Sequence, residues 1–243
     1  MNIFPPALAA PPLATAAACP APGSDTPFRP SEYTGLLLQA VQDLLAVRCA
    51  GSVLEMGVGS GVVLAAMGKL GARRLRGVDI DPDAVAATNR LLRGLSLADR
   101  ARISRGYLWD AVGRERFEII AANLPQFPTT AVSDPDRGRF WGAGGADGRA
   151  VMDPFLEGLA AHMESTGVAL ITHSTIVDVA ATSAVLARHG LVAERKLAAQ
   201  VRLAPDKAAL LDPALWERFA GRGLLLLGAC AFIEAQVLEI RWA

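Results

Sequence analysis

Apolar residues in this chain alternate between two rhythms from residue 32 to the end. Over Glu32 to Val47, Leu36, Leu37, Val41, Leu44 and Leu45 recur at helical spacing. Ser52 to Met56 is a short apolar run that passes straight into glycines, after which Val62 to Leu70 reads as a helix. A second strand is predicted at Leu75 to Ile80. Pro82 is placed to open the next helix at its first turn, and that helix runs through Ala84, Val85, Ala87 and Leu91 towards Leu95. Ala101 to Ser104 gives a third strand and Phe117 to Ala122 a fourth, an apolar run of the kind buried on both faces of a parallel sheet. A connection rich in Pro and Gly follows from Leu124 to Gly148, long enough to mark a functional loop. Beyond it come a helix (Asp153 to Met163), a strand (Val168 to His173), a helix (Val179 to His189) and two closing strands, Leu191 to Val201 and Ala231 to Arg241. The insert between those strands contains Leu224 to Leu227, which reads as core or lid. The alternation predicts an α/β fold, helices covering both faces of a mostly parallel sheet.

Residues 1–25 are rich in Ala and Pro and read as a mobile tail; 26–243 read as one domain. The tail lacks a positive start, and Pro5, Pro6, Pro11 and Pro12 interrupt any hydrophobic stretch, which argues against a secretory signal. No apolar run approaches the roughly 20 residues a membrane-spanning helix needs, so no membrane partner and a cytoplasmic location are expected.

Charge narrows the partners. The 24 basic and 24 acidic residues cancel, and the densest basic groups are only Arg73, Arg74 and Arg76, then Arg137 and Arg139. A nucleic-acid substrate, which calls for a phosphate-neutralising face, is therefore not expected. Cys19, Cys49 and Cys230, like His162, His173 and His189, lack metal-ligand spacing, so no metal is expected.

The chemistry concentrates where the first strand ends. Glu55-Met56-Gly57-Val58-Gly59-Ser60-Gly61 is a strand running into a glycine turn that opens a helix. Bare backbone lets a nucleoside lie close, and the tight turn needs φ values that glycine adopts cheaply. At the end of the second strand stands Asp79, followed by Ile80; a carboxylate there can accept hydrogen bonds from ribose hydroxyls. Asp81 is placed to cap the helix beginning at Pro82. The spacing Gly-x-Gly-x-Gly differs from the dinucleotide pattern, and Glu55 would repel a phosphate while suiting a cationic ligand. S-adenosylmethionine (SAM), with its ammonium and sulfonium, is favoured over NAD.

These elements resemble the class I SAM-dependent methyltransferases over roughly Arg29 to His173, and within them the release-factor glutamine methyltransferases. That group has Pro-Arg-Pro-Glu-Thr before a helix, where this chain has Phe28-Arg29-Pro30-Ser31-Glu32-Tyr33-Thr34. Its Asn-Pro-Pro-Tyr after the fourth strand corresponds to Asn123-Leu124-Pro125-Gln126, followed by Phe127, and its Gly-Gly-x-Asp-Gly is reproduced as Gly144-Gly145-Ala146-Asp147-Gly148. The resemblance implies a Rossmann-like fold with a seven-stranded, mostly parallel sheet and an antiparallel final strand. It also implies that Asn123 and a following backbone carbonyl accept hydrogen bonds from a planar amide or amine nitrogen while an aromatic ring stacks on it, catalysis mainly by positioning. Two departures stand out. Leu124 and Gln126 replace a proline and the tyrosine, with Phe127 placed to supply a ring one position later. After the third strand, Tyr107, next to Leu108, stands where the group has an Asp near the adenine.

Further candidates surround this core. Tyr33, Phe127, Phe140 and Trp141 either attract the sulfonium through their ring faces or simply cover an apolar cleft. His173 ends the fifth strand, where it serves as a general base or as a structural histidine. Glu32 and Asp147 are placed to hold an ammonium or a substrate amine, unless Asp147 caps its helix. The expected activity is methyl transfer from SAM to a small molecule, or to a protein side-chain nitrogen, held by Asn123, Pro125 and Gln126. The alternative is cyclisation of SAM itself to azetidine-2-carboxylate and methylthioadenosine, as in a few methyltransferase-like proteins. A non-catalytic SAM-binding protein is the third possibility.

Overall fold

The computed structural model describes residues 30–129, 144–211, 213–221 and 223–243. Helix α1 (Glu32–Val47) leads into β1 (Ser52–Met56), α2 (Val62–Lys69), β2 (Arg74–Asp79), α3 (Pro82–Gly94), β3 (Ala101–Arg105) and β4 (Phe117–Ala122). After the 130–143 segment come α4 (Met152–His162), β5 (Met163–Ser174), α5 (Val179–Arg188) and β6 (Leu191–Leu203). The short helices α6 (Pro205–Ala208) and α7 (Pro213–Phe219) precede a hairpin of β7 (Leu224–Leu227) and β8 (Cys230–Trp242).

The strands form one sheet in the order β3-β2-β1-β4-β5-β8-β6, with β7 pairing to β8 beside that path. Strands β1 to β5 run parallel, and β8 runs antiparallel to both β5 and β6. Two details differ from the sequence expectation. Strand β5 begins at Met163, because that residue pairs with Phe117 ahead of an irregularity in the β4–β5 ladder. Leu224–Leu227 is an eighth strand, its ladder supplied by the part of β8 that extends past β5.

The two-residue strand period splits the core between the faces of the sheet. In β4, Ile120 and Ala122 join a cluster with Phe155, Leu156 and Leu159 of α4 and Leu186 of α5. Ile119 and Ala121 point the other way, into a cluster with Leu37 and Val41 of α1 and Leu64 and Met67 of α2. A third cluster lies under the insert: Leu203, Leu211, Leu224 and Ile233 pack with Tyr33, Phe127, Trp216 and Phe219. Strand order reverses direction at β1, whose neighbours are β2 and β4, and open α/β sheets bind ligands at the strand carboxyl ends beside such a reversal. Among the described residues no helix is long and apolar enough to cross a membrane.

One contact in this packing is unusually close. The Trp109 ring stacks on Phe155 at 5.1 Å and on His162 at 4.3 Å, and a Cβ built on Gly158 would lie 2.3 Å from Trp109 Cδ1. Replacing a helical glycine by alanine contributes about 1 kcal/mol of propensity, but the overlap displaces a ring held by two neighbours. Gly158→Ala should therefore lower stability by a net amount on the order of 1–3 kcal/mol, read from urea unfolding; a stabilised variant would show that the ring is free to move.

Candidate active site

Strand β1 ends in a turn whose glycines have φ of 73° at Gly57, 48° at Gly59 and 76° at Gly61, the left-handed region. Gly57 N and Val58 N both donate to Val78 O, at 2.8 and 3.1 Å, which pins the turn to β2. At Gly61 a side chain is excluded a second way, since a Cβ would meet Thr88 Oγ1 at 2.7 Å. The result is a concave run of bare backbone at the N-terminus of α2.

Asp79 stands at the rim of this turn. Its Oδ2 accepts from Gly59 N and its Oδ1 from Asp81 N, each at 2.9 Å, and its backbone carbonyl accepts from Gly106 N, also at 2.9 Å. Burial raises its pKa above the ordinary 3.8, against these backbone donors, which act to lower it. Each oxygen keeps a lone pair for a hydroxyl donor. Asp81 caps α3, its Oδ1 accepting from Asp83 N at 2.8 Å, and Ile80 lies half-buried beside it.

Glu55 takes a different place from the one its charge suggested. It is 3% exposed, and its Oε2 accepts from Leu64 N at 2.7 Å. Burial holds its pKa well above the carboxylate range, and the nearby Asp79 adds to the rise. Its carboxyl therefore shapes the start of α2 from beneath and does not stand open to a cation. The strand period explains this, because every residue of β1 is buried.

The loop after β3 lies on the other side of Asp79. Tyr107 is 43% exposed. Leu108, 7% exposed, has φ of 44°, a costly conformation for a branched side chain. Two anchors hold that strain. Trp109 Nε1 donates to Phe155 O at 3.0 Å, and Arg76 donates to Ala111 O, to Arg102 O at 3.1 Å and to Ser104 Oγ at 2.9 Å. Arg76, 3% exposed and ion-paired to Glu115 at 3.2 Å, is thus no part of a basic surface. Its setting between apolar strand residues Leu75 and Val78 was the available signal.

After β4, Asn123 is held at both ends of its carboxamide: Thr172 Oγ1 donates to Oδ1 at 2.7 Å, and Nδ2 donates to Thr34 Oγ1 at 3.3 Å. Leu124 is 6% exposed, and its Cδ2 lies 3.3 Å from where a Cβ of Gly57 would be, so this loop and the glycine turn are packed in register. Pro125 and Phe127 are half-buried, and Phe127 shares a cluster with Tyr33. Burial pushes the Tyr33 phenol above its usual 10.0, opposed by a hydrogen bond to the Ser174 side chain. The Gly144–Gly148 turn lies flat on the same loop: a Cβ at Gly148 would meet Gln126 O at 2.5 Å.

Three expected site residues point elsewhere. Gln126 is 7% exposed, and its carboxamide is turned in upon β5, not towards an acceptor. His173 is fully buried on the α5 side of the sheet, its Nε2 3.0 Å from Thr182 Oγ1. Thr172 faces Asn123, and the period of two sends its neighbour to the opposite face. Burial lowers the His173 pKa from 6.5 to about 4, so it is neutral, and it faces away from Asn123. Asp147, exposed, closes its own turn by accepting from Arg149 N at 3.0 Å. Glu32 is exposed in the first turn of α1. Phe140 and Trp141 lie outside the described residues.

Comparison with known proteins agrees with this geometry. The family model described as Ribosomal protein L11 methyltransferase (PrmA) matches residues 32–126. A provisionally named protein N5-glutamine methyltransferase of Methanocaldococcus jannaschii is 32% identical over 152 residues, 61% of this chain and 73% of the relative. A release factor glutamine methyltransferase of Rhodospirillum rubrum is 36% identical over 141 residues, 55% of this chain, which spans only 41% of that relative's length. Among solved structures, a ribosomal protein L11 methylase of Lactobacillus delbrueckii superposes with a TM-score of 0.54 at 15% identity, covering 87% of this chain and 79% of that one. The YcgJ protein of Bacillus subtilis gives 0.60 at 11% identity, covering 86% and 99%. At these identities the structures show the fold alone.

Two measurements test the placements. Asp79→Ala should weaken SAM binding at least about tenfold, the scale of a lost charge-assisted hydrogen bond; unchanged affinity in calorimetry would remove Asp79 from the ribose site. For His173 the folded pKa lies below the unfolded value, so its contribution to stability is complete above pH 6.5 and is lost as pH falls towards about 4. His173→Gln should flatten that part of the stability–pH curve and leave methyl transfer intact. Loss of transfer at constant fold would return His173 to the catalytic set.

Proposed function

The chain belongs to the class I SAM-dependent methyltransferases, and we propose that within this family it methylates a carboxamide nitrogen, most simply that of a glutamine side chain in a protein. The observation that carries the proposal is the half-buried Asn123 carboxamide, fixed by Thr172 and Thr34 and set beside the glycine turn through Leu124. With one bond made at each end, Asn123 retains an acceptor lone pair and a donor N–H. That pair is complementary to another carboxamide, which offers both an N–H and a C=O. The relatives named for glutamine methylation support the same acceptor.

The cofactor site fits SAM on its own terms. Gly57 to Gly61 provide the bare backbone, Asp79 the acceptors for a ribose diol, and the exposed Tyr107 a ring at the adenine side. SAM, when bound, supplies a methyl group on a sulfonium. Asn123 accepts the acceptor's N–H and aims the nitrogen; Tyr33 and Phe127 wall the apolar side. The new bond is N–CH3, the S–CH3 bond breaks with its electron pair going to sulfur, and the displaced amide proton passes to water. No side chain need carry a formal charge at the nitrogen, so the site works chiefly by orientation and by holding the reactants close.

The test is incubation with methyl-labelled SAM and the peptide acetyl-Ala-Gln-Ala-amide, with free glutamine as the small-molecule arm and SAM alone as a third. Label on the peptide or free glutamine amide, abolished by Asn123→Ala with SAM affinity unchanged, is the expected result. Methylthioadenosine formed from SAM alone would overturn it in favour of cyclisation. Methylation that survives Asn123→Ala would place the acceptor elsewhere.

A further inference from the structure

The side chains around Asn123 form a series of hydrogen bonds whose direction is set at the β5 end by a backbone N–H, a group that can only donate. At the β5 end Ser174 N donates to Gln126 Oε1 at 2.5 Å. The Gln126 carboxamide must then present its nitrogen onwards, and Nε2 donates to Thr172 O and Thr172 Oγ1, each at 3.2 Å. With its oxygen accepting from Gln126, the Thr172 hydroxyl sends its single proton to Asn123 Oδ1 at 2.7 Å. At the α1 end Ser31 N donates to Thr34 Oγ1 at 3.2 Å, and Asn123 Nδ2 donates to the same oxygen at 3.3 Å.

The two ends of a carboxamide are nearly the same shape, so its hydrogen-bond partners decide which way it faces. Threonine hydroxyls alone would not decide it, because each can donate or accept. Gln126 narrows that freedom: Ser174 N admits only its oxygen, so its nitrogen fills a Thr172 lone pair and the buried Thr172 proton is left to face Asn123 Oδ1. We infer that Gln126 and Thr172 are positioning residues for methyl transfer, locking Asn123 in the single orientation that leaves an Oδ1 lone pair and an Nδ2–H for the acceptor. The inference rests on the carboxamide reading above and extends it to residues that do not touch the acceptor. It also gives Gln126 a task that explains why its side chain is buried against β5 and not open to the cleft. The same bonds join the loop after β4 to β5 and α1, so the acceptor does not have to order these segments on arrival.

Thr172→Val keeps the shape of the side chain and removes the donor; Thr172→Ser keeps the donor. In the full chain, Thr172→Val should lower kcat on acetyl-Ala-Gln-Ala-amide at least about tenfold, the scale of one orienting hydrogen bond. SAM affinity should not change, and Thr172→Ser should restore kcat. Independently of turnover, nitrogen-15 NMR reads the Asn123 side-chain NH2 pair, assigned by its disappearance in Asn123→Asp. That pair should split or broaden in Thr172→Val and in Gln126→Leu, as the amide samples both orientations, and return to the native signal in Thr172→Ser. Native kcat in Thr172→Val, or an NH2 pair that none of these variants disturbs, would overturn the inference. If the native chain methylates neither the peptide nor free glutamine, the acceptor reading fails by itself, and the NH2 signals decide the positioning inference.

Discussion

Three loops meet at the polar atoms of Asp79. Its carboxylate receives the N–H of Gly59 from the turn after β1 and the N–H of Asp81 at the start of α3, while its carbonyl receives Gly106 N from the exit of β3. Each of those N–H groups would otherwise need another partner at the crowded end of the sheet, where an unpaired one costs on the order of 1–3 kcal/mol. Burial opposes the charge of Asp79, and the converging donors offset that opposition. The shape of the candidate cofactor site follows from this junction. Fixing the glycine turn exposes its backbone, fixing the exit of β3 places Tyr107, and Leu124 against Gly57 then carries the register across to Asn123.

Most of the architecture could be read along the chain, because it depends on local periodicity. The α1 helix and strands β1 and β4 occupy the spans that their apolar patterns predict, and the antiparallel β8 follows from the family resemblance. What was not legible depends on which way a side chain turns at the end of a strand. Thr172 and His173 are adjacent, yet one meets Asn123 and the other α5, and no composition signal distinguishes them. Gln126 follows Pro125 out of the sheet, but its direction is decided by Ser174 N, a backbone group 48 positions along the chain. Strand β7 was missed for a related reason. Leu224–Leu227 has no period of two, and its ladder exists only because β8 outruns β5.

Two buried ionisable side chains, Arg76 and Glu55, brace backbone here. Arg76 satisfies carbonyls of the β3 strand and of the turn at Ala111 while pairing with Glu115, so it acts as a bracket between strand and loop. Such a bracket is costly to desolvate, and a well-packed apolar substitute is often as stable. An apolar side chain, however, could not stop the strained turn at Leu108 from relaxing, since it offers the Ala111 carbonyl no donor. Glu55 does the corresponding service at α2, where a free N-terminal N–H would be buried without a partner. In both places a buried polar side chain sets the shape of backbone that borders the candidate cofactor site, by hydrogen bonding to that backbone.

Under the carboxamide proposal, the described groups that hold Asn123 are neutral. The Thr172 and Thr34 hydroxyls hold Asn123, the Gln126 carboxamide stands behind Thr172, and the histidine on β5 is uncharged and faces α5. An amide nitrogen is a weak nucleophile because its lone pair is delocalised into the carbonyl, so a general base of ordinary strength gains little by removing its proton beforehand. Orientation is the more effective means, and orientation by a carboxamide works only if that carboxamide cannot turn over. An aromatic residue at position 126 could add stacking worth about 0.5–1.5 kcal/mol, but it could not relay the direction of a backbone N–H to Thr172. With glutamine there, the proposed ring contact falls to Tyr33 and Phe127, which pack with the insert between β6 and β8. Under the proposal, the residues that aim the nitrogen are thereby separate from those that enclose it.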